Sequence, residues 1–185
     1  MEKNEWEFES QLGQNRSWFI YYAQYKRVVT DLTDSVQNRQ IPIDTISLPL
    51  LFSIRHCIEL GLKANILEFE KANKEIEKIK LREKYSHSLE VLYNKFTEHL
   101  RVYQAKYPLS HEIEKQLTSY LDKLMPLKNK LHNLDKGSFN FRYPVNGEGE
   151  YNFVWNKKEN LKEIISAFNE IHPLLVCTVD VLLPR

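Results

Sequence analysis

Apolar residues recur along most of the chain with the 3.6-residue period of a helix, and with period two in one short stretch. From Asn15 to about Asn38, Trp18, Tyr21, Tyr22, Tyr25, Val28, Val29, Leu32 and Val36 follow i, i+3, i+4, i+7 spacing, which predicts an amphipathic helix with one buried face. Residues 39–46 contain Pro42 and read as a connector. Ser47 is placed to cap a second helix, with Pro49 tolerated in its first turn, that runs to about Lys71. The mixed-sign segment from Ala72 to Lys84 has few core residues and reads as a solvated extension or loop. Ser86 opens a third helix with Leu89, Leu92, Tyr93, Phe96, Leu100 and Tyr103 on one face, ending before Tyr107-Pro108. Ser110 caps a fourth, built on Ile113, Leu117, Tyr120, Leu121, Leu124, Leu127 and Leu131 and bent at Pro126. A fifth runs from about Lys158 to Leu183, with a kink at Pro173.

After Lys136 the period changes. Phe139, Phe141, Tyr143 and Val145 alternate with polar residues, and so do Tyr151, Phe153 and Trp155, around a turn containing Gly147 and Gly149. This predicts a β-hairpin over about 138–156, with Pro144 confining its strand to a short or edge position. The predicted fold is all-α: an up-and-down bundle of about five helices over residues 15–185, behind a tail of residues 1–14, with the hairpin inserted between helices four and five.

Composition narrows the chemistry. At 185 residues and 42% hydrophobic, the chain suits one domain with a self-sufficient core. Its five glycines include no GxGxxG and no GxxxxGK[ST], which excludes Rossmann and P-loop phosphate cradles. A net charge of +1 provides no overall basic field, so any contact with nucleic acid has to be local. Cys57 and Cys177 lie in apolar strings without metal-ligand spacing, which suggests a reducing cytoplasm. The N-terminus lacks the apolar run of a signal peptide, and Leu174 to Leu183 is shorter than the ~18 residues of a membrane span. The expectation is a cytoplasmic protein with no membrane role, no metal and no cofactor.

On the second helix, apolar residues cover most of the circumference, whereas Arg55, His56, Glu59 and Lys63 share an arc of roughly 100°. Two readings are open. The stripe is a solvated i,i+4 charge ladder worth ~0.3–0.5 kcal/mol per pair, or it lines a cleft and its cations bind an anion. His87, read in the first turn of the third helix, faces the positive end of the dipole and leans towards a neutral imidazole. It serves either to tie down the preceding loop or as an acceptor or base. The aromatic row of the hairpin packs on the bundle, forms a dimer contact or stacks unpaired bases.

Taken in order, Arg55-His-Cys-Ile-Glu59-Leu-Gly-Leu-Lys63-Ala64, His87-Ser-Leu89-Glu-Val-Leu92 and Phe141-Arg142-Tyr143-Pro144 resemble the motifs of the HEPN superfamily (higher eukaryotes and prokaryotes nucleotide-binding domains). The resemblance spans residues 15–183. It implies an all-α, usually dimeric bundle that binds nucleotides or RNA, often in bacterial toxin-antitoxin or phage-defence settings, with an antitoxin or other protein as a further partner. It points to Arg55, His56, Glu59, Lys63, His87, Arg142 and Tyr143 as the ligand-binding set. Many members are metal-independent ribonucleases marked by Arg-x4-6-His near the final helices. Here the fourth helix has only Lys128-Asn-Lys-Leu-His132, His172 has no arginine upstream on its helix, and the one literal match, Arg82 to His87, stands before the third helix. If the chain is a ribonuclease, His87 is the candidate catalytic residue. The third reading is a non-catalytic structural or interaction module.

Overall fold

The computed structural model describes residue 10 and residues 17–72 and 86–182, apart from the side chain of Val179. The tail expected over residues 1–14 and the loop expected over 72–84 lie mostly outside these residues, as does Arg82. Five helices occur among the described residues: α1 (Trp18–Gln37), α2 (Ile43–Ala72), α3 (Leu89–Lys106), α4 (His111–Leu134) and α5 (Leu161–Leu182). The protein is an all-α helical bundle.

Helix α2 is its axis and packs against α1, α3 and α5. Leu50, Ile54, Ile58, Leu62 and Ile66 are completely buried, and they explain why α2 reads as apolar nearly all round. By length and composition α2 could cross a membrane, with a mean hydropathy of 1.2 over 18 residues, but 61% of that window is buried within the bundle. It starts at Ile43, four residues before the expected cap Ser47, because the Pro42 carbonyl accepts from Thr45 N–H and opens the first turn. Pro49 therefore lies inside the helix, where its missing N–H strands only the carbonyl of exposed Thr45.

Side-chain contacts give the helix directions. Trp18 meets Lys63 and Tyr25 meets His56, so α1 and α2 are antiparallel. Glu59 meets His87 and Phe69 meets Phe96 and Tyr103, so α3 runs parallel to α2. The up-and-down expectation fails at this connection. The start of α3 lies beside the middle of α2. Glu90 with Lys128 joins the start of α3 to the end of α4, and Lys130 with Glu159 and Lys123 with Glu170 set α4 and α5 antiparallel.

Gly61 marks the closest approach of α2 to α5, since a Cβ there would lie 2.9 Å from Leu175 Cβ. Asn65 uses the proximity, donating through Nδ2 to Gly61 O at 2.7 Å and to Leu175 O at 2.8 Å. Helix propensity alone would have Gly61→Ala gain about 1 kcal/mol. We expect a net loss of ~1–3 kcal/mol, as for overpacked cores, because the obstructing atom is a Cβ that cannot rotate away. Urea unfolding midpoints of the two proteins check this, and a variant as stable as the parent or more so contradicts the close packing.

The predicted hairpin is absent. Residues 138–156 form successive turns with one isolated antiparallel bridge, Val145 to Tyr151. Pro144 cannot donate to a ladder, and beside the backbone bonds from Asn152 N–H to Pro144 O and from Asn146 N–H to Glu150 O, side chains take part: Asn146 Oδ1 accepts from the Glu148 and Glu150 amides, and Asn152 Nδ2 donates to Tyr143 O. Phe141 is buried and stacks on Phe153, whereas Phe139, Tyr143, Tyr151 and Trp155 point outwards.

Candidate functional site

The parallel run of α2 and α3 brings three of the predicted residues onto one buried carboxylate. Arg55, Glu59 and Lys63 lie at successive i,i+4 positions of α2, facing the start of α3. Arg55 Nη1 donates to Glu59 Oε2 at 3.0 Å, and Lys63 Nζ donates to Glu59 Oε1 at 2.7 Å. All three are buried, Arg55 completely, so the stripe is neither a solvated ladder nor an open cationic wall. Arg55 also donates to backbone, through Nε to Asp135 O at 3.0 Å and through Nη2 to His87 O at 2.6 Å. Arg55 thereby ties the end of α4 and the entry to α3 to the central helix. Lys63 Nζ also lies 5.8 Å from the Trp18 ring.

His87 completes the group from the surface. The helix cap is Ser88, whose hydroxyl accepts from Val91 N–H, so His87 precedes α3 instead of occupying its first turn, and Ser86 does not cap it. What orients the ring is a carboxylate, not the helix dipole. His87 Nδ1 lies 2.8 Å from Glu59 Oε1, with the imidazole side chain 57% exposed and the carboxylate 1%. Because a carboxylate only accepts, Nδ1 carries its proton, and in the neutral ring Nε2 is left as the free acceptor. Burial pushes the Glu59 carboxyl upwards, but Lys63, through charge and hydrogen bond, together with His87 and Arg55, outweighs it and holds the group below the usual carboxylate range.

Arg142 and Tyr143 stand on the turn that follows α4. Asp135, completely buried, accepts from the amides of Phe139 at 2.6 Å and Asn140 at 3.1 Å, and its Oδ2 is 3.8 Å from Arg55 Nε. Ser138 turns the chain in the left-handed region at φ 63°. Arg142 Nε returns to Ser138 O at 2.7 Å, and its guanidinium lies 5.7 Å from the Phe52 ring and 5.4 Å from that of Tyr143. Both Arg142 and Tyr143 are exposed. His56 is placed differently. It is stacked on Phe52 and edge-on to Tyr25 in the α1–α2 seam, and burial lowers its pKa.

Asp135 is the member of this buried network that the sequence pattern does not reveal. A single acid after a helix is an ordinary capping signal, and nothing local shows that it faces an arginine 80 positions away. Lys128 and His132, the degenerate pair of α4, sit at the same end of the bundle. Lys128 is buried over Tyr93 and donates to Glu90, and burial lowers the pKa of His132. Cys57 is buried within the core, its thiol pushed up to about 12 by that burial, which makes it inert. Among the described residues no group of three or more His, Cys, Asp or Glu side chains is arranged to hold a metal ion.

Comparison with known proteins finds no matching family model, no similar curated protein and no similar solved structure. The chemistry of the site therefore rests on its own geometry: a surface imidazole clamped from below by a buried, cation-braced carboxylate, and an exposed arginine carried over Phe52 on a capped turn.

Proposed function

We propose that this chain is an HEPN-like protein that binds RNA or a nucleotide through its phosphates. His87 and Arg142 contact the ligand, and Arg55, Glu59 and Lys63 form the buried frame that holds the site in place. The observation that carries this reading is the His87–Glu59 contact, which fixes one ring nitrogen and presents the other to solvent. Arg55 and Lys63 balance Glu59 and Asp135, so the buried set is neutral and Arg142 supplies the positive charge at the rim. We take the protein as a cytoplasmic homodimer, open to an antitoxin or another protein partner.

Anisotropy titrations with a labelled RNA oligonucleotide at several salt concentrations test the proposal. Arg142→Ala should weaken binding and reduce the salt slope by about one, the signature of a single missing phosphate contact. His87→Ala should also weaken binding, whereas Arg27→Ala, on the exposed face of α1, should leave it unchanged. No binding by the parent protein, or equal binding by all three variants, rejects the proposal.

The same contact favours a second reading, a metal-independent endoribonuclease. His87 Nε2 would take the proton of a ribose 2′-hydroxyl, whose oxygen attacks the adjacent phosphorus. The bond to the 5′-oxygen breaks, that oxygen takes a proton from water, and Arg142 offsets the charge gathering on the phosphoryl oxygens. Cleavage in EDTA that falls by about 10²–10⁴-fold in His87→Ala would establish it. Binding without cleavage leaves the first reading alone.

A further inference from the structure

Of the aromatic residues in the 138–156 segment, Phe141 and Phe153 pack on the bundle, and the others face outwards. Trp155 is 90% exposed, Tyr151 82% and Val154 80%. The three line a groove of about 890 Å³ whose other apolar walls include Leu48, Leu51 and Leu161. One face therefore carries both protruding apolar side chains and a recess able to receive them. Exposed apolar surface of this kind, rimmed by charge, marks an interaction site.

The rim of the groove carries both signs of charge. Glu159 is occupied by Lys130 at 3.3 Å, whereas among the described residues no ion pair or hydrogen bond holds the side chain of Asp44, Lys157 or Lys158. A twofold interface sets one patch against itself, so each of its elements has to find its complement on that same patch. Here an exposed tryptophan stands beside an apolar recess, and two free cations stand beside a free anion. A face shaped for a different protein has no need of that self-complementarity. At about 150–250 Å² per aromatic side chain, Tyr151 and Trp155 offer roughly 250–450 Å², up to half of the ~800 Å² that each partner buries in a standard interface.

We infer that this face is the interface between two copies of the chain, related by a twofold axis, with Trp155 of each copy seated in the groove of the other and Lys157 and Lys158 facing the partner's Asp44. The inference rests on the homodimer proposed above and adds where the copies meet. Trp155 is the anchor, because tryptophan is enriched among the few residues that carry most of the energy of an interface. The charges sit at the polar rim, where they fix register and exclude wrong pairings more than they add affinity.

The test measures molar mass over a dilution series, by light scattering and sedimentation, for the parent, Trp155→Ala, Asp44→Lys, Lys157→Glu/Lys158→Glu, and the last two combined. Far-UV circular dichroism checks that each variant is folded. The parent should give twice the chain mass of 22.1 kDa. Trp155→Ala should raise the dissociation constant of the dimer at least ~30-fold, the scale of losing a hot spot. Each charge reversal sets like charges opposite one another and should weaken the dimer, and the combination, which exchanges the two signs, should restore most of it. A monomeric parent overturns both this interface and the homodimer. A parent dimer that Trp155→Ala and both reversals leave equally tight overturns the interface alone, the copies then meeting elsewhere. Reversals that weaken the dimer without recovery in the combination overturn the pairing of Asp44 with the two lysines.

Discussion

Glu59→Leu will be among the most destabilising single substitutions in this protein. The leucine fills similar space but leaves Arg55 and Lys63 buried, both cationic, with no carboxylate between them, and it frees the His87 ring. Breaking a buried ion pair from one side typically costs about 3–5 kcal/mol, which in a chain of this length lowers the melting temperature by roughly 10 °C or more. Removing all the charges together, in Arg55→Met/Glu59→Leu/Lys63→Met, should recover most of that loss, because no ion is then left uncompensated. A Glu59→Leu protein that melts within about 2 °C of the parent would show that the network contributes little, by the same scaling. The parent should also carry an acid limb. The folded Glu59 carboxyl lies below the unfolded value of 4.5, so its contribution is complete above that pH. It falls away as pH drops through the folded pKa, because the unfolded chain then binds the extra proton. Glu59→Leu should flatten this limb in melting curves recorded between neutral pH and about pH 3.

Helix existence and type were legible because each apolar stripe has a partner of the same period. The Arg55–Glu59–Lys63 grouping was legible for the same reason, since i,i+4 spacing on a helix fixes a shared face whatever the tertiary fold. Burial of that face was not, because an identical ladder on a solvated helix leaves the same trace. It is buried because α3 and the end of α4 close over it, and both approach from distant sequence. The direction of α3 against α2 was illegible too. Neither period nor capping shows whether the two helices run antiparallel or parallel, and the parallel arrangement places His87 on Glu59. Residues 138–156 misled because alternation is only a face pattern. Pro144 stops a ladder from extending, the side chains of Asn146 and Asn152 take up part of the local backbone, and the aromatics divide between Phe141 and Phe153 inside and the rest outside.

The second large effect is expected at Asp135, a residue that touches no ligand in the proposed site. Asp135→Ala removes the acceptor for the Phe139 and Asn140 amides and withdraws the acid facing Arg55. Unpaired donors in a part-buried turn cost up to about 1–3 kcal/mol each and the stranded charge of buried Arg55 adds to them, so a loss of ~3 kcal/mol is expected. The consequence should reach further than stability. The turn that Asp135 caps carries Arg142, so releasing it should weaken RNA binding about as far as Arg142→Ala does, the scale of one lost phosphate contact. Asp135→Asn separates the two roles. Its amide oxygen can still accept from Phe139 and Asn140 while the charge opposite Arg55 is gone, so it should keep most of the binding and lose part of the stability. Hydrogen exchange at the Phe139 and Asn140 amides reads the cap directly: protection should vanish in Asp135→Ala and persist in Asp135→Asn. If both amides stay protected in Asp135→Ala, the turn is held by something other than this carboxylate. Arg142 would then owe its position to its own bonds with Ser138 and its seat over Phe52.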